Sequence, residues 1–205
     1  MSGKSTEEVF TDIFENNKWK GEVPSGPGSS LAVTAILRQW LTSLFEEMNI
    51  QTLCDAPCGD GTWIFEITHR LEFYFGVDVV KKLVETHARR DLPRNHFFMT
   101  GDLIETILPK VDAIFCRDCL VHLTLEQAVA AVANLKRSGS TYLITTTFPT
   151  RTENIPARTG SWRPLNLEIP PFSFPKPIEI IRERATDPDD RNNDKSMGVW
   201  RLSDL

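Results

Sequence analysis

The chain has 205 residues, with 23 Lys and Arg against 28 Asp and Glu, a formal net charge of −5 and a pI near 5.4. With 40% apolar and 25% charged residues it has the composition of a soluble globular fold, long enough to build one core without staples. Nothing approaches the roughly 18 consecutive apolar residues of a membrane span, residues 1–14 carry acids rather than the apolar run of a secretory leader, and the acidic balance argues against a general nucleic-acid binder. A cytoplasmic protein with neither a membrane nor a nucleic-acid partner is therefore expected. The spacing predicts a first helix over 6–18, with Val9, Phe10, Ile13 and Phe14 on one face. Turn residues from Glu22 to Ser29 separate it from a second helix over 30–48, which Ser29 or Ser30 would cap. From residue 51 strands and helices alternate. A strand over 52–56 runs into Pro57-Cys58-Gly59-Asp60-Gly61 and a helix over 62–69. Then come a strand over 72–77 ending at Asp78, a helix over 79–89, a strand over 96–100 followed by Gly101 and Asp102, a strand over 111–116, a helix over 125–136 and a strand over 141–148.

That alternation predicts an α/β fold: a Rossmann-like, seven-stranded, mostly parallel sheet with helices on both faces. Seven prolines between 149 and 177 exclude a long helix there, and the aromatic content of the stretch suits an ordered lid. Strands over 178–182 and 197–202, around a polar turn at 187–195, form an antiparallel hairpin.

The most informative stretch is Asp55-Ala56-Pro57-Cys58-Gly59-Asp60-Gly61, where a strand enters a glycine turn that opens a helix. Ligands of open α/β sheets sit at the carboxyl ends of the strands, and glycines there let a ligand approach the backbone. Asp78, 17 residues past Gly61, is placed to accept hydrogen bonds from two ribose hydroxyls. Asp102, with the Leu103 backbone beside it, is placed to meet an adenine. A dinucleotide site wants G-x-G-x-x-G, but Ile64 stands where the third glycine belongs. Asp55 and Asp60 would also repel a pyrophosphate, whereas they favour the sulfonium and ammonium of S-adenosylmethionine.

On these residues the chain resembles the class I S-adenosylmethionine-dependent methyltransferases, over about residues 50–150. The resemblance takes Asp55, Ala56, Pro57, Cys58, Gly59 and Gly61 as the first motif, with Pro57 in place of its usual first glycine. It takes Asp78 as the ribose acid, Asp102 and Leu103 as the adenine contacts, and 112–123 as the fourth motif. Arg117 and Ser29 are further cofactor candidates. One domain is expected: a helical cap over 1–50, a cofactor-binding core over 51–148, a substrate lid over 149–177 and the hairpin over 178–205.

The fourth strand end carries Asp118 and His122, in a family whose fourth strand end lies beside the transferring methyl. A hydroxyl acceptor needs a base; His122 has a suitable intrinsic pKa, and Asp118 could be base, orienter of His122 or ligand to Mg2+, so a magnesium ion is left open. The plainer alternatives are a packed histidine and a helix-capping or ion-paired aspartate. Cys54, Cys58, Cys116 and Cys119 are too dispersed over strand and turn for zinc and read as thiols in a reducing compartment. Trp162, Arg163 and Asn166 offer an aromatic face and directed hydrogen bonds, a mixture that suits a sugar. The stretches 138–167 and 198–205 are also similar to small bacterial sugar O-methyltransferases of the mannoside type. The expected function is O-methylation of a sugar or glycan hydroxyl. Methylation of a nitrogen or of another small natural product, and a non-catalytic cofactor-binding module, stay as alternatives. A small-molecule or saccharide acceptor is the expected partner, and a homo-oligomer is left open.

Overall fold

The computed structural model describes residues 4–183 and 194–205. Seven strands form one mostly parallel sheet in the order β3-β2-β1-β4-β5-β7-β6, as expected for a Rossmann-like fold. The chain gathers into two compact units, one up to Leu103 and one from Ile104 onward.

The first unit opens with α1 (Thr6–Glu15), held at its start by a complete capping box between Ser5 and Glu8, which satisfies two otherwise orphaned donors. Helix α2 (Ala35–Glu47) begins later than its periodicity predicts, because a 3-10 turn at Pro27–Ser29 and further turn residues intervene. Its buried positions Leu37, Leu41, Leu44 and Phe45 make one apolar stripe. Strands β1 (Thr52–Asp55), β2 (Phe73–Asp78) and β3 (His96–Thr100) run parallel, with Thr52 opposite Phe73 and Tyr74 opposite His96. Helix α3 is only Phe65–Thr68, shorter than the 62–69 expected, because residues 62–64 are spent in the turn. Helix α4 spans Lys81–His87.

In the second unit, β4 (Ala113–Cys116) is wholly buried and pairs parallel with β5 (Tyr142–Thr147). Between them lie a 3-10 turn at Leu120–His122 and α5 (Leu125–Arg137), the latter started by a capping box between Thr124 and Gln127. Basic Lys136 and Arg137 lie in its last turn, where they complement the helix dipole. Residues 149–177 contain neither helix nor strand, as their prolines require. Strand β6 (Glu179–Arg182) pairs antiparallel with β7 (Ser196–Arg201), and β7 antiparallel with β5, so the expected hairpin is present. Of its expected polar turn at 187–195, residues 187–193 lie outside the described residues.

Candidate functional site

The glycine turn of the first unit is held on every side. Gly59 and Gly61 have φ of +55° and +69°, a region that L side chains avoid. A Cβ at Gly61 would run into the Phe65 ring, which explains why a turn with Ile64 at its third position still needs Gly61. The Gly59 N–H donates to Asp78 Oδ2 at 2.9 Å and the Cys58 N–H to the Val77 carbonyl at 2.9 Å. His87 from α4 hydrogen-bonds the Gly59 carbonyl at 2.7 Å, and Arg90 donates to the Asp60 carbonyl at 2.8 Å. Asp60 is itself nearly buried, and accepts from the Thr62 N–H through Oδ1 and from the Ser25 N–H through Oδ2, both at 2.8 Å.

Asp78 ends β2 and is 5% exposed. It also accepts from the Val80 N–H at 2.8 Å. Burial raises its pKa to about 6, against the lowering effect of the Val80 and Gly59 N–H groups. The Val79 N–H also bonds this carboxylate, so three neighbouring backbone N–H groups hold it in a fixed orientation. Asp55, at the end of β1, is buried and accepts the Tyr74 hydroxyl at 2.7 Å. Asp102 and the buried Leu103 follow β3. Ser29 sits in the 3-10 turn, its hydroxyl at 3.5 Å from the Ser25 carbonyl. Asp55, Ala56, Pro57, Cys58, Gly59, Gly61, Asp78, Asp102, Leu103 and Ser29 thus all belong to the first unit.

The second unit places the fourth-motif residues in a charge network that the sequence reading missed. Arg117 grips Glu183 at the end of β6 through two nitrogens, Nη2 to Oε2 at 2.6 Å and Nε to Oε1 at 3.3 Å. Arg117 Nη1 also lies 3.3 Å from Asp118. Lys195, just before β7, donates to Asp118 Oδ2 at 2.5 Å and lies 3.6 Å from Glu183. Two cations therefore balance two carboxylates. Asp118 adopts φ of +52°, tolerable for aspartate, with its N–H donated to Thr146 Oγ1 at 2.9 Å. Burial pushes the Asp118 carboxyl up, but the Lys195 and Arg117 charges outweigh it and hold the group well below the ordinary carboxylate range.

This placement changes three of the expected roles. An aspartate held ionised between two cations is a poor proton acceptor, so the base reading of Asp118 is corrected to that of a fixed charge. A Lys195 ammonium lies against Asp118 Oδ2, and no group of three or more His, Cys, Asp or Glu side chains among the described residues could hold a metal. Arg117, expected at the cofactor, has its guanidinium committed to Glu183. His122 ends the 3-10 turn, and its imidazole is kept below its usual pKa by burial, opposed by Asp118 and by a hydrogen bond with the Ser161 backbone.

The lid gives a further correction. Arg163 and Asn166, expected to bind substrate, are 2% and 5% exposed and bonded to backbone carbonyls, Asn166 within the lid and Arg163 both within the lid and at the 3-10 turn of residues 120–122. Arg163 donates to the Ile155, Leu120 and Val121 carbonyls, and Asn166 Nδ2 to the Pro149 and Arg151 carbonyls. A segment without helix or strand must satisfy its carbonyls by side chains. Trp162 is 43% exposed and meets Phe148 edge to face, with centroids 5.7 Å apart, so its ring remains presented. All four cysteines are thiols, with Cys54, Cys58 and Cys116 buried.

Comparison with known proteins adds to this geometry. Residues 53–139 match the family model described as a methyltransferase domain. A magnesium-protoporphyrin O-methyltransferase from Synechocystis sp. is 29% identical over 102 residues, covering 47% of this chain and 44% of that protein, so the match spans less than half of the relative. The N-methyltransferase NodS from Bradyrhizobium japonicum, solved with S-adenosyl-L-homocysteine, superposes with a TM-score of 0.65 at 11% identity, covering 97% of this chain and 98% of NodS. The [4+2]-cyclase SpnF superposes with a TM-score of 0.60 at 15% identity, covering 89% and 78%. These last two likenesses concern the fold.

Proposed function

We propose that this chain, whose residues 53–139 match the model of a methyltransferase domain, is an S-adenosylmethionine-dependent methyltransferase that uses the glycine turn of its first unit to bind that cofactor and methylates a hydroxyl of a sugar or other small polar molecule. The observation that carries the cofactor reading is Asp78, a buried carboxyl at a strand end, aligned by the Gly59 and Val80 N–H groups beside the glycine turn, where it would accept from the ribose hydroxyls. Asp102 and the Leu103 backbone would meet the adenine. Asp55 and Asp60 favour a cationic ligand over a pyrophosphate. Bound S-adenosylmethionine supplies a methyl group on a positively charged sulfur, ready for in-line transfer.

The chain's contribution to the transfer is positioning and proton removal. His122 is the base. Kept below its ordinary pKa by burial, its imidazole is neutral at pH 7 and can take the acceptor's hydroxyl proton on a ring nitrogen as the new C–O bond forms. Asp118, fixed by Lys195, Arg117 and Thr146, gives the negative charge that favours the resulting imidazolium. The reaction needs no divalent metal on this reading. The exposed face of Trp162 is the support for a saccharide, whose C–H faces stack on aromatic rings.

Calorimetry with S-adenosyl-L-homocysteine, followed by a labelled-methyl screen over sugars, glycan fragments, amines and small natural products, tests the assignment. Binding together with transfer to a saccharide hydroxyl is expected, undiminished by EDTA. His122→Ala should lose at least about a hundredfold in turnover, the usual share of a general base, while its cofactor affinity stays within a few-fold. NAD binding in place of the homocysteine product would overturn the cofactor reading, and transfer only to amines would overturn the hydroxyl acceptor.

A further inference from the structure

We propose that Ser25 is a positioning residue of the cofactor site, clasping residues 21–30 onto the glycine turn and thereby setting how long cofactor and product stay bound. The inference rests on the cofactor reading above. Its basis is a reciprocal pair of hydrogen bonds. The Ser25 N–H donates to Asp60 Oδ2 and the Asp60 N–H donates to Ser25 Oγ, each at 2.8 Å, between residues 35 positions apart. A backbone donor and a side-chain acceptor on each partner make a two-point contact that fixes direction as well as distance.

The two sides of the clasp are built differently. On the turn side nothing is slack, because Asp60 is held through Oδ1 by the Thr62 N–H and through its carbonyl by Arg90. On the other side the segment is tied to itself by short-range bonds, Gly26 N–H to the Val23 carbonyl at 2.9 Å and Ser29 N–H to the Gly26 carbonyl at 3.1 Å, and it rests on the Trp19 side chain at Gly26. The segment is a preformed plug, and Ser25 ties it to the turn at two points.

Gly59 links the clasp to the ligand side. Its N–H is bonded to Asp78, and a Cβ built on it would fall 2.5 Å from Ser25 Oγ. One residue thus touches the ribose acid through its backbone and the Ser25 hydroxyl through the space where a side chain would be. A change at Ser25 is transmitted to Asp78 across a single glycine. A serine that only stabilised the loop would leave ligand dissociation untouched once the protein was folded.

The test is stopped-flow release of S-adenosyl-L-homocysteine from the wild-type chain, Ser25→Ala and Ser25→Thr. Ser25→Ala should release the product about tenfold faster, the share of one hydrogen bond within a charge-assisted pair. Ser25→Thr, which keeps the hydroxyl, should restore the slow rate. In parallel, amide exchange on the wild-type chain should show the Ser25 and Asp60 N–H groups slowed together by saturating product, which keeps the idea falsifiable if Ser25→Ala fails to fold. Equal release from Ser25→Ala and the wild type, or exchange at these two amides unmoved by product, would overturn the clasp while leaving the cofactor site standing. A folded wild-type chain that binds no product at all overturns the cofactor reading and this role with it.

Discussion

At the residue scale, Asp78 converts burial into a dependence on pH. With no ligand its carboxyl titrates at about 6, because burial penalises the charged form. Ribose hydroxyls donating into the carboxylate favour the ionised form, so binding pulls the pKa down and expels a proton below pH 6. Affinity for S-adenosyl-L-homocysteine should be about tenfold weaker at pH 5 than at pH 7.5, the ionised fraction one unit below a pKa of 6 being roughly a tenth. Calorimetry at the two pH values checks this, and Asp78→Asn should bind more weakly with that slope removed. The placement of Asp78 at a strand end beside the glycine turn was legible in the sequence, because an apolar run that stops at an acid marks where the strand ends. Arg163 and Asn166 misled for an equally physical reason. Polar residues in a proline-rich loop look like ligand donors, but such a loop has many carbonyls and no ladder to pair them; Asn166 is spent on that task, and Arg163 ties the loop to the Leu120 and Val121 carbonyls of the 3-10 turn.

At the element scale, the parallel strands were legible from apolar runs ending in acids, and their observed register puts Asp55, Asp78 and Asp102 at or just beyond successive strand ends. Helix α3 was overestimated because the turn that bends at Gly61 consumes the residues that would have formed its first turn. Of the network of Arg117, Asp118, Glu183 and Lys195, only the pairing of Asp118 with its neighbour Arg117 was legible in the sequence. The other partners lie 66 and 77 positions apart, and ion pairs carry no periodicity. The network ties the hairpin of β6 and β7 to the end of β4, and breaking it should be costly. Glu183→Gln takes the full negative charge from beside a nearly buried guanidinium and should cost about 3 kcal/mol, the lower end for a broken buried pair, as a shift of the denaturation midpoint. Replacing Arg117 and Glu183 together by apolar residues of similar size should recover most of that loss.

At the scale of the whole molecule, the response to acid is a competition between groups of opposite sign. Burial lowers the pKa of His87, His96 and His122 below 6.5, so the fold holds them neutral. Their contribution to stability is intact above pH 6.5 and is lost as pH falls through the window below it. Asp78 works the other way, since its raised folded pKa gives stability that is full below 3.8 and lost as pH rises through about 6. Between pH 7 and pH 5.5 the three histidines cost stability while Asp78 returns some, so any fall in the melting temperature of the ligand-free protein is blunted by Asp78. Saturating S-adenosyl-L-homocysteine keeps Asp78 ionised and removes the opposing gain, so the fall should be steeper with ligand than without. Thermal melts at the two pH values, with and without ligand, check both statements. The first unit was the more legible half because a cofactor site demands particular residue types at fixed offsets. The second unit carries a loop over residues 149–177 with neither helix nor strand, and so no period to read.

The contact between Trp19 and Gly26 gives the chain an optical reporter. Trp19 is half-buried, its ring centroid 6.3 Å from that of Phe10, and its side chain packs on the backbone that carries Ser25. Any motion of residues 21–30 away from the glycine turn changes the polarity around this indole, so its emission follows the segment without an attached dye. Trp63 lies two residues past Gly61 and is 7% exposed, so a second indole watches the turn itself, and changing either tryptophan to phenylalanine separates the two signals.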